Sequence, residues 1–222
     1  MKQDRLFAVC GIAFVALELA GTFIAMGAGK THGLTISSSR ADIAAALAKH
    51  VSAGVWAGEY MELLSVGFFL AFAAWLTAKL GGGLLGTVAR LAAATYAGAG
   101  VVSLGLLGAI AYGAGRGLDV ATGRALVDVN EAIYVATWFV LATFLVAIGL
   151  VARAESRGRL GWSALAIAAY TLVATALSVD NFGQFSQLLA LLWVVCASIA
   201  VGLAPSARAR TSPRTLGAPG SA

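Results

Sequence analysis

The chain has 222 residues, 60% of them hydrophobic and only 11% charged. A soluble domain carries about 25% charged residues, so this composition excludes a water-soluble globular protein and puts the chain in one membrane-embedded unit. The net charge of +5 does not mark a nucleic-acid binder, because the basic residues are scattered over loops and tails, where a membrane-orientation signal accounts for them.

The first apolar run, Leu6–Ala28, follows a charged lead, Met1–Arg5. It is longer than the roughly 7–15 residues of a signal-peptide core, and it carries Glu18, so a retained spanning helix is predicted rather than a leader. The longest connection comes next. Ser39 with Asp42 forms a capping-box-like start, and the Ala-rich stretch Asp42–His50 reads as a short periplasmic helix. Its apolar positions Ile43, Ala46 and Leu47 share one face, which predicts that it lies near the membrane surface. Five more runs follow: Ala53–Ala78, Val88–Gly113, Ala125–Ala152, Trp162–Ser178 and Gln187–Leu203. Each reaches or approaches the roughly 20 residues that cross a bilayer as a helix. Trp56 and Trp162 suit an interfacial aromatic belt. Residues 205–222, with Pro205, Pro213 and Pro219, are too polar and broken to build a core and are predicted to be a disordered cytoplasmic tail.

The predicted fold is therefore all-α, a six-transmembrane-helix bundle over residues 1–204 with a short helix between the first and second spans. With the N-terminus inside, the inner segments hold Lys2, Arg5, Lys79, Arg90, Arg153, Arg157, Arg159, Arg208, Arg210 and Arg214. The outer loops hold Lys30, Arg40, Lys49, Arg116 and Arg124. This bias predicts both termini in the cytoplasm of a bacterial plasma membrane. The segments SSSRADIAAALAKH, FFLAFAAWLTAKL, RLAAATYAGAGVVSLGLL and GRLGWSALAIAAY together resemble a group of six-helix bacterial membrane proteins common in actinobacteria. The resemblance covers roughly residues 35–170. It implies a six-helix membrane fold and brings neither a catalytic motif nor a functional residue.

Five carboxylates fall inside the predicted spans: Glu18, Glu59, Glu62, Asp128 and Glu131. A charged acid at the centre of a membrane helix costs at least about 2.5–3.5 kcal/mol, so each calls for a partner or a use. At 1.5 Å of rise per residue, all five lie between about 5 and 15 Å below the outer face. Glu59 with Glu62, and Asp128 with Glu131, are spaced i, i+3 and are read as sharing a helix face, with Tyr134 and Trp138 extending the Glu131 face. Two acids so close repel if both ionise, so each pair calls for a proton or a bound cation. The same offset relates Glu59 to Asp128, Glu62 to Glu131 and Arg90-Leu91 to Arg159-Leu160, the mark of a candidate parallel repeat.

Other chemistries lack their motifs. There is no Walker loop, no Gly-x-Ser-x-Gly and no Glu-x-x-His, and both histidines, His32 and His50, lie in the first outer loop. Zinc and haem are disfavoured, and no cofactor is expected unless a hard cation sits on carboxylate oxygens. Cys10 and Cys196 have no CxxC spacing and read as small core residues. Gly11 and Gly21 in the first span, and Gly98, Gly100, Gly105 and Gly108 in the third, read as close helix packing that would also permit self-association. The expected function is binding of a small cationic or proton-coupled ligand in an acidic, periplasm-facing pocket, as a transporter, transport subunit or sensor. Glu18, Glu62 and Glu131 would hold the charge, Glu59 and Asp128 the mouth, and Tyr134 and Trp138 the wall. The alternatives are a membrane enzyme with a carboxylate-bound metal and an accessory subunit without pocket chemistry.

Overall fold

A computed structural model describes residues 2–28, 34, 37–48, 51–81, 83–177 and 182–202. The predictions for His32, His50 and residues 205–222 lie outside these residues. Among them all regular structure is helical: α1 (Lys2–Gly27), α2 (Arg40–Leu47), α3 (Ala53–Leu80), α4 (Gly83–Gly113), α5 (Val120–Ala154), α6 (Gly158–Ala176) and α7 (Phe182–Gly202). All but α2 are long and apolar enough to cross a membrane. Large apolar side chains including Leu6, Phe23, Leu63, Leu91, Val102 and Leu192 point outward. Exposed apolar surface on this scale has to be covered by something other than water, and the chain is accordingly of the helical membrane class.

The six long helices form a ring in chain order, α1–α3–α4–α5–α6–α7, closed by α7 against α1. α3 reaches across to α5 and α7, and the ring is filled by aromatic side chains. Phe69 of α3 lies 5.1 Å from Phe14, 5.3 Å from Tyr96 and 5.7 Å from Phe144, centroid to centroid. Phe144 meets Trp193 at 6.4 Å. Such tilted and edge-on pairs add about 0.5–1.5 kcal/mol each beyond the area they bury.

The helices overrun the predicted apolar stretches at several ends. α5 begins five residues earlier than its apolar run because Asp119 caps it, accepting hydrogen bonds from the amides of Ala121 (3.0 Å) and Thr122 (2.9 Å). At the other end of the bundle, Asp4 of α1 accepts from Lys79 Nζ at 3.0 Å and Trp75 Nε1 at 3.3 Å, tying the start of α1 to the end of α3. Arg153 stacks 4.0 Å over the ring of the exposed Trp162.

The short helix forms as predicted at its start, with a complete Ser39–Asp42 capping box. Its apolar face packs on the bundle. Ile43 and Leu47 are 0% and 6% exposed, packed on Ile110, Ala114 and Val127 of the α4–α5 end. Gly123 supplies the recess, since a Cβ there would come within 2.7 Å of Leu47 Cδ1. The Gly115 amide donates to the Leu47 carbonyl at 2.6 Å, and Arg124 Nη1 donates to the Ser38 carbonyl at 2.6 Å.

Two further expectations differ. Cys10 packs partly buried against the core, whereas Cys196 is exposed. Gly98 and Gly105 have open space where a Cβ would stand, so the glycines of α4 do not mark one close helix contact as Gly11 and Gly21 do.

Candidate functional site

The site begins with a small-residue crossing. α1 and α3 run antiparallel, and a Cβ at Gly21 would stand 2.7 Å from the Gly58 carbonyl oxygen and 2.9 Å from Glu62 Cγ. A Cβ at Gly58 would stand 2.5 Å from the Gly21 carbonyl oxygen. Backbones this close need two glycines. On α1, Glu18 and Thr22 flank Gly21; on α3, Glu62 and Ser65 follow Gly58 within two turns. The crossing therefore places one acid and one hydroxyl from each helix opposite the complementary pair on the other.

Two reciprocal hydrogen bonds result. Ser65 Oγ lies 2.6 Å from Glu18 Oε2, and Thr22 Oγ1 donates to Glu62 Oε1 at 3.2 Å. Ser65 Oγ also lies 2.7 Å from the main-chain carbonyl of Glu62. A third helix joins here, because Gln187 Nε2 of α7 donates to Glu18 Oε1 at 3.3 Å. Tyr96 of α4 and Tyr134 of α5 lie near Glu18, and Tyr134 also lies near Glu131. Tyr134 stands edge-on to the buried Trp138 at 5.3 Å. Glu18 of α1 thus has neighbours on four other spanning helices, with hydrogen bonds to α3 and α7.

The remaining acids separate. Glu59 and Glu62 are each 8% exposed, but they face different helices. Glu62 meets α1 at Gly21, while Glu59 Oε2 comes 3.8 Å from where a Cβ of Gly108 on α4 would be, beside Trp56. Residues three apart diverge by about 60° around a helix, and at this packing density that angle is enough to send them to different neighbours. Asp128 pairs with Arg124 on its own helix, with Nε 2.9 Å from Oδ1 and 3.1 Å from Oδ2. Since Arg124 also holds the Ser38 carbonyl, this ion pair anchors the segment leading into α2. Glu131 is half-buried beside Tyr134. The two members of the candidate repeat consequently differ: Glu59 is buried at α4, whereas the side chain of Asp128 is 41% exposed and ion-paired.

Next to Gln187 is a void of about 10 Å³, lined by Phe14, Phe69, Tyr96, Leu141, Phe144 and Gln187 among others. That volume is at the threshold for one water molecule. A larger space of about 200 Å³ between α4, α5 and α6 is lined by apolar residues and Thr143, away from the acids. Among the described residues no group of three His, Cys, Asp or Glu converges as a metal site.

Sequence reading alone missed Ser65, Thr22, Gln187 and Tyr96. For the first two a signal was available: Thr22 is one turn from Glu18 and Ser65 three residues from Glu62, so each acid has a hydroxyl on its own helix. A Ser103–Asn130 hydrogen bond of 2.7 Å, joining α4 to α5, was equally unanticipated. No protein-family model, no curated protein and no solved structure matches the chain.

Proposed function

We propose that this protein binds a proton or a small monovalent cation at the Glu18–Glu62 cluster and works as a transporter, a transport subunit or a sensor. The observation that carries the reading is the pair of hydrogen bonds across the α1–α3 crossing, Ser65 with Glu18 and Thr22 with Glu62, which hold one carboxyl group from each helix. Acids placed at this depth are expensive to retain and ordinarily mark an ion or proton path. Glu131, Tyr134 and Trp138 form the α5 wall, and Glu59 lies toward α4. Asp128 belongs to the anchoring of α2 through Arg124.

The α2 end faces the periplasm in this reading, with both termini cytoplasmic in a bacterial plasma membrane. Its support is the basic residues, Arg5, Lys79, Arg90, Arg153, Arg157 and Arg159 at the opposite end against Arg40, Arg116 and Arg124 at the α2 end. A carboxylate-metal enzyme is less well supported, because the acids divide among different neighbours.

The test uses purified protein in liposomes containing a pH-sensitive dye, with an imposed gradient of protons, Na⁺ or K⁺, and calorimetric titration of the same ions in detergent. The expected result is a proton flux or ion binding that falls at least tenfold in Glu62→Gln. A wild-type protein that moves no protons and binds neither ion, or one indistinguishable from Glu62→Gln, removes the reading.

A further inference from the structure

The Ser65 hydroxyl has one proton and two oxygen neighbours, Glu18 Oε2 at 2.6 Å and the Glu62 carbonyl oxygen at 2.7 Å. The carbonyl can only accept. If Glu18 is ionised it too can only accept, and the single proton then leaves one of these short oxygen–oxygen contacts without a hydrogen between the atoms. If Glu18 is the carboxylic acid, both contacts are satisfied. Its proton goes to Ser65 Oγ, and the Ser65 proton goes to the Glu62 carbonyl, the usual i−3 bond of a helical serine. Gln187 donates to the other oxygen of Glu18, which is compatible with the acid's carbonyl oxygen. We propose that Glu18 is the proton-carrying residue of the site and that Ser65 is its switch.

Loss of the Glu18 proton turns the Ser65 hydroxyl from the α3 carbonyl to the new carboxylate. One proton leaves Glu18 for solvent or an acceptor, no covalent bond other than that O–H changes, and α3 loses a hydrogen bond at Glu62, beside the α1 crossing. Protonation is thereby linked to the α1–α3 contact, a differential interaction that a coupled transporter or sensor requires. The titratable groups near Glu18 include Tyr96 from α4 and Tyr134 from α5, with Glu131 near Tyr134, and the neutral Gln187 of α7 donates to it.

The inference rests on the same cluster as the proposed function but does not need flux, so the two fail separately. Infrared spectra of the full chain in detergent at neutral pH, in H₂O and D₂O, report protonated carboxyl groups by their C=O stretch. The expected spectrum contains such a band, lost in Glu18→Gln, kept in Glu62→Gln, and shifted to higher frequency in Ser65→Ala, where the acid loses its acceptor. Ser65→Ala removes only a hydroxyl and keeps the test open if Glu18→Gln does not fold. Absence of the band in wild type, its persistence in folded Glu18→Gln, its loss in Glu62→Gln, or an unshifted band in Ser65→Ala overturns the assignment. A band assigned to Glu18 in a protein without flux leaves the inference standing and the transport reading refuted.

Discussion

Replacing Gly58 by alanine isolates the contact on which the acid cluster depends. The added Cβ would stand 2.5 Å from the Gly21 carbonyl oxygen, 2.7 Å from Ala25 Cβ and 2.9 Å from the Ala25 nitrogen. Carbon atoms rest about 3.5–4.0 Å apart, so α1 and α3 must separate by roughly 1 Å where they cross. None of these obstacles is the end of a flexible side chain, which puts the strain near the upper end of the usual range for overpacking, about 3 kcal/mol. Alanine over glycine in a helix returns about 0.5–1 kcal/mol, leaving a net loss of about 2 kcal/mol. Gly67, two and a half turns further along the same helix, is the control, because nothing lies within 4 Å of a Cβ there. Gly67→Ala is expected to stabilise by about 0.5–1 kcal/mol. Equilibrium unfolding in micelles of rising dodecyl sulfate fraction, followed by tryptophan fluorescence, measures both. A Gly58→Ala protein as stable as Gly67→Ala would show that the two backbones do not meet at Gly21 and Gly58. The cluster built on that crossing would then lose its basis.

Three other outcomes follow from the α2 end. Leu47→Ala removes one of the two buried apolar anchors of α2, and buried Leu→Ala changes cost about 2–5 kcal/mol; amides of Arg40–Leu47 should exchange at least tenfold faster by hydrogen–deuterium mass spectrometry, with α3 and α5 unchanged. Uniform acceleration across all helices would mean that α2 is part of the bundle's cooperative core. Asp42 is held below the ordinary carboxylate range because the Ser39 hydroxyl and amide donate to it. A depressed folded value means that its contribution is fully present above the unfolded value of about 3.9 and is lost as pH falls through the folded one. Protection of α2 should therefore be flat near neutrality and fall only below about pH 4, and Asp42→Asn should abolish that acid-induced change; a transition near pH 6 to 7 would contradict the assignment. Finally, Asp128→Asn should loosen the Ser37–Ser39 segment through Arg124 while leaving proton or ion movement within about twofold of wild type. A tenfold loss would return Asp128 to the site.

The placement of the acids within long apolar helices was legible in the sequence, and their partners were not. Placement follows from where apolar runs start, which is a local property. Partner choice depends on rotation about each helix axis, which is set by contacts between segments distant in the chain. Spacing of i, i+3 made Glu59 and Glu62 a pair, yet Gly58 is four residues before Glu62 and draws that side of α3 onto α1, which leaves Glu59 turned toward Gly108. Gly21 was legible as a close-packing residue, whereas its counterpart Gly58 was not, because one glycine in an apolar run rich in small residues has no distinguishing signal. The overruns at α4 and α5 have a similar cause. Hydropathy reports what crosses the membrane, while helix ends are decided by caps such as Asp119 and by turns such as Gly81, whose φ of 75° is one that glycine adopts without strain. The composition was sufficient for the architecture because a chain this apolar must satisfy its backbone within its own segments. It could not place the site, because Glu18, Ser65 and Gln187 come together only after three helices have docked. The sharing of one hydroxyl between a carboxyl group of α1 and a backbone carbonyl of α3 is therefore created by packing at two glycines.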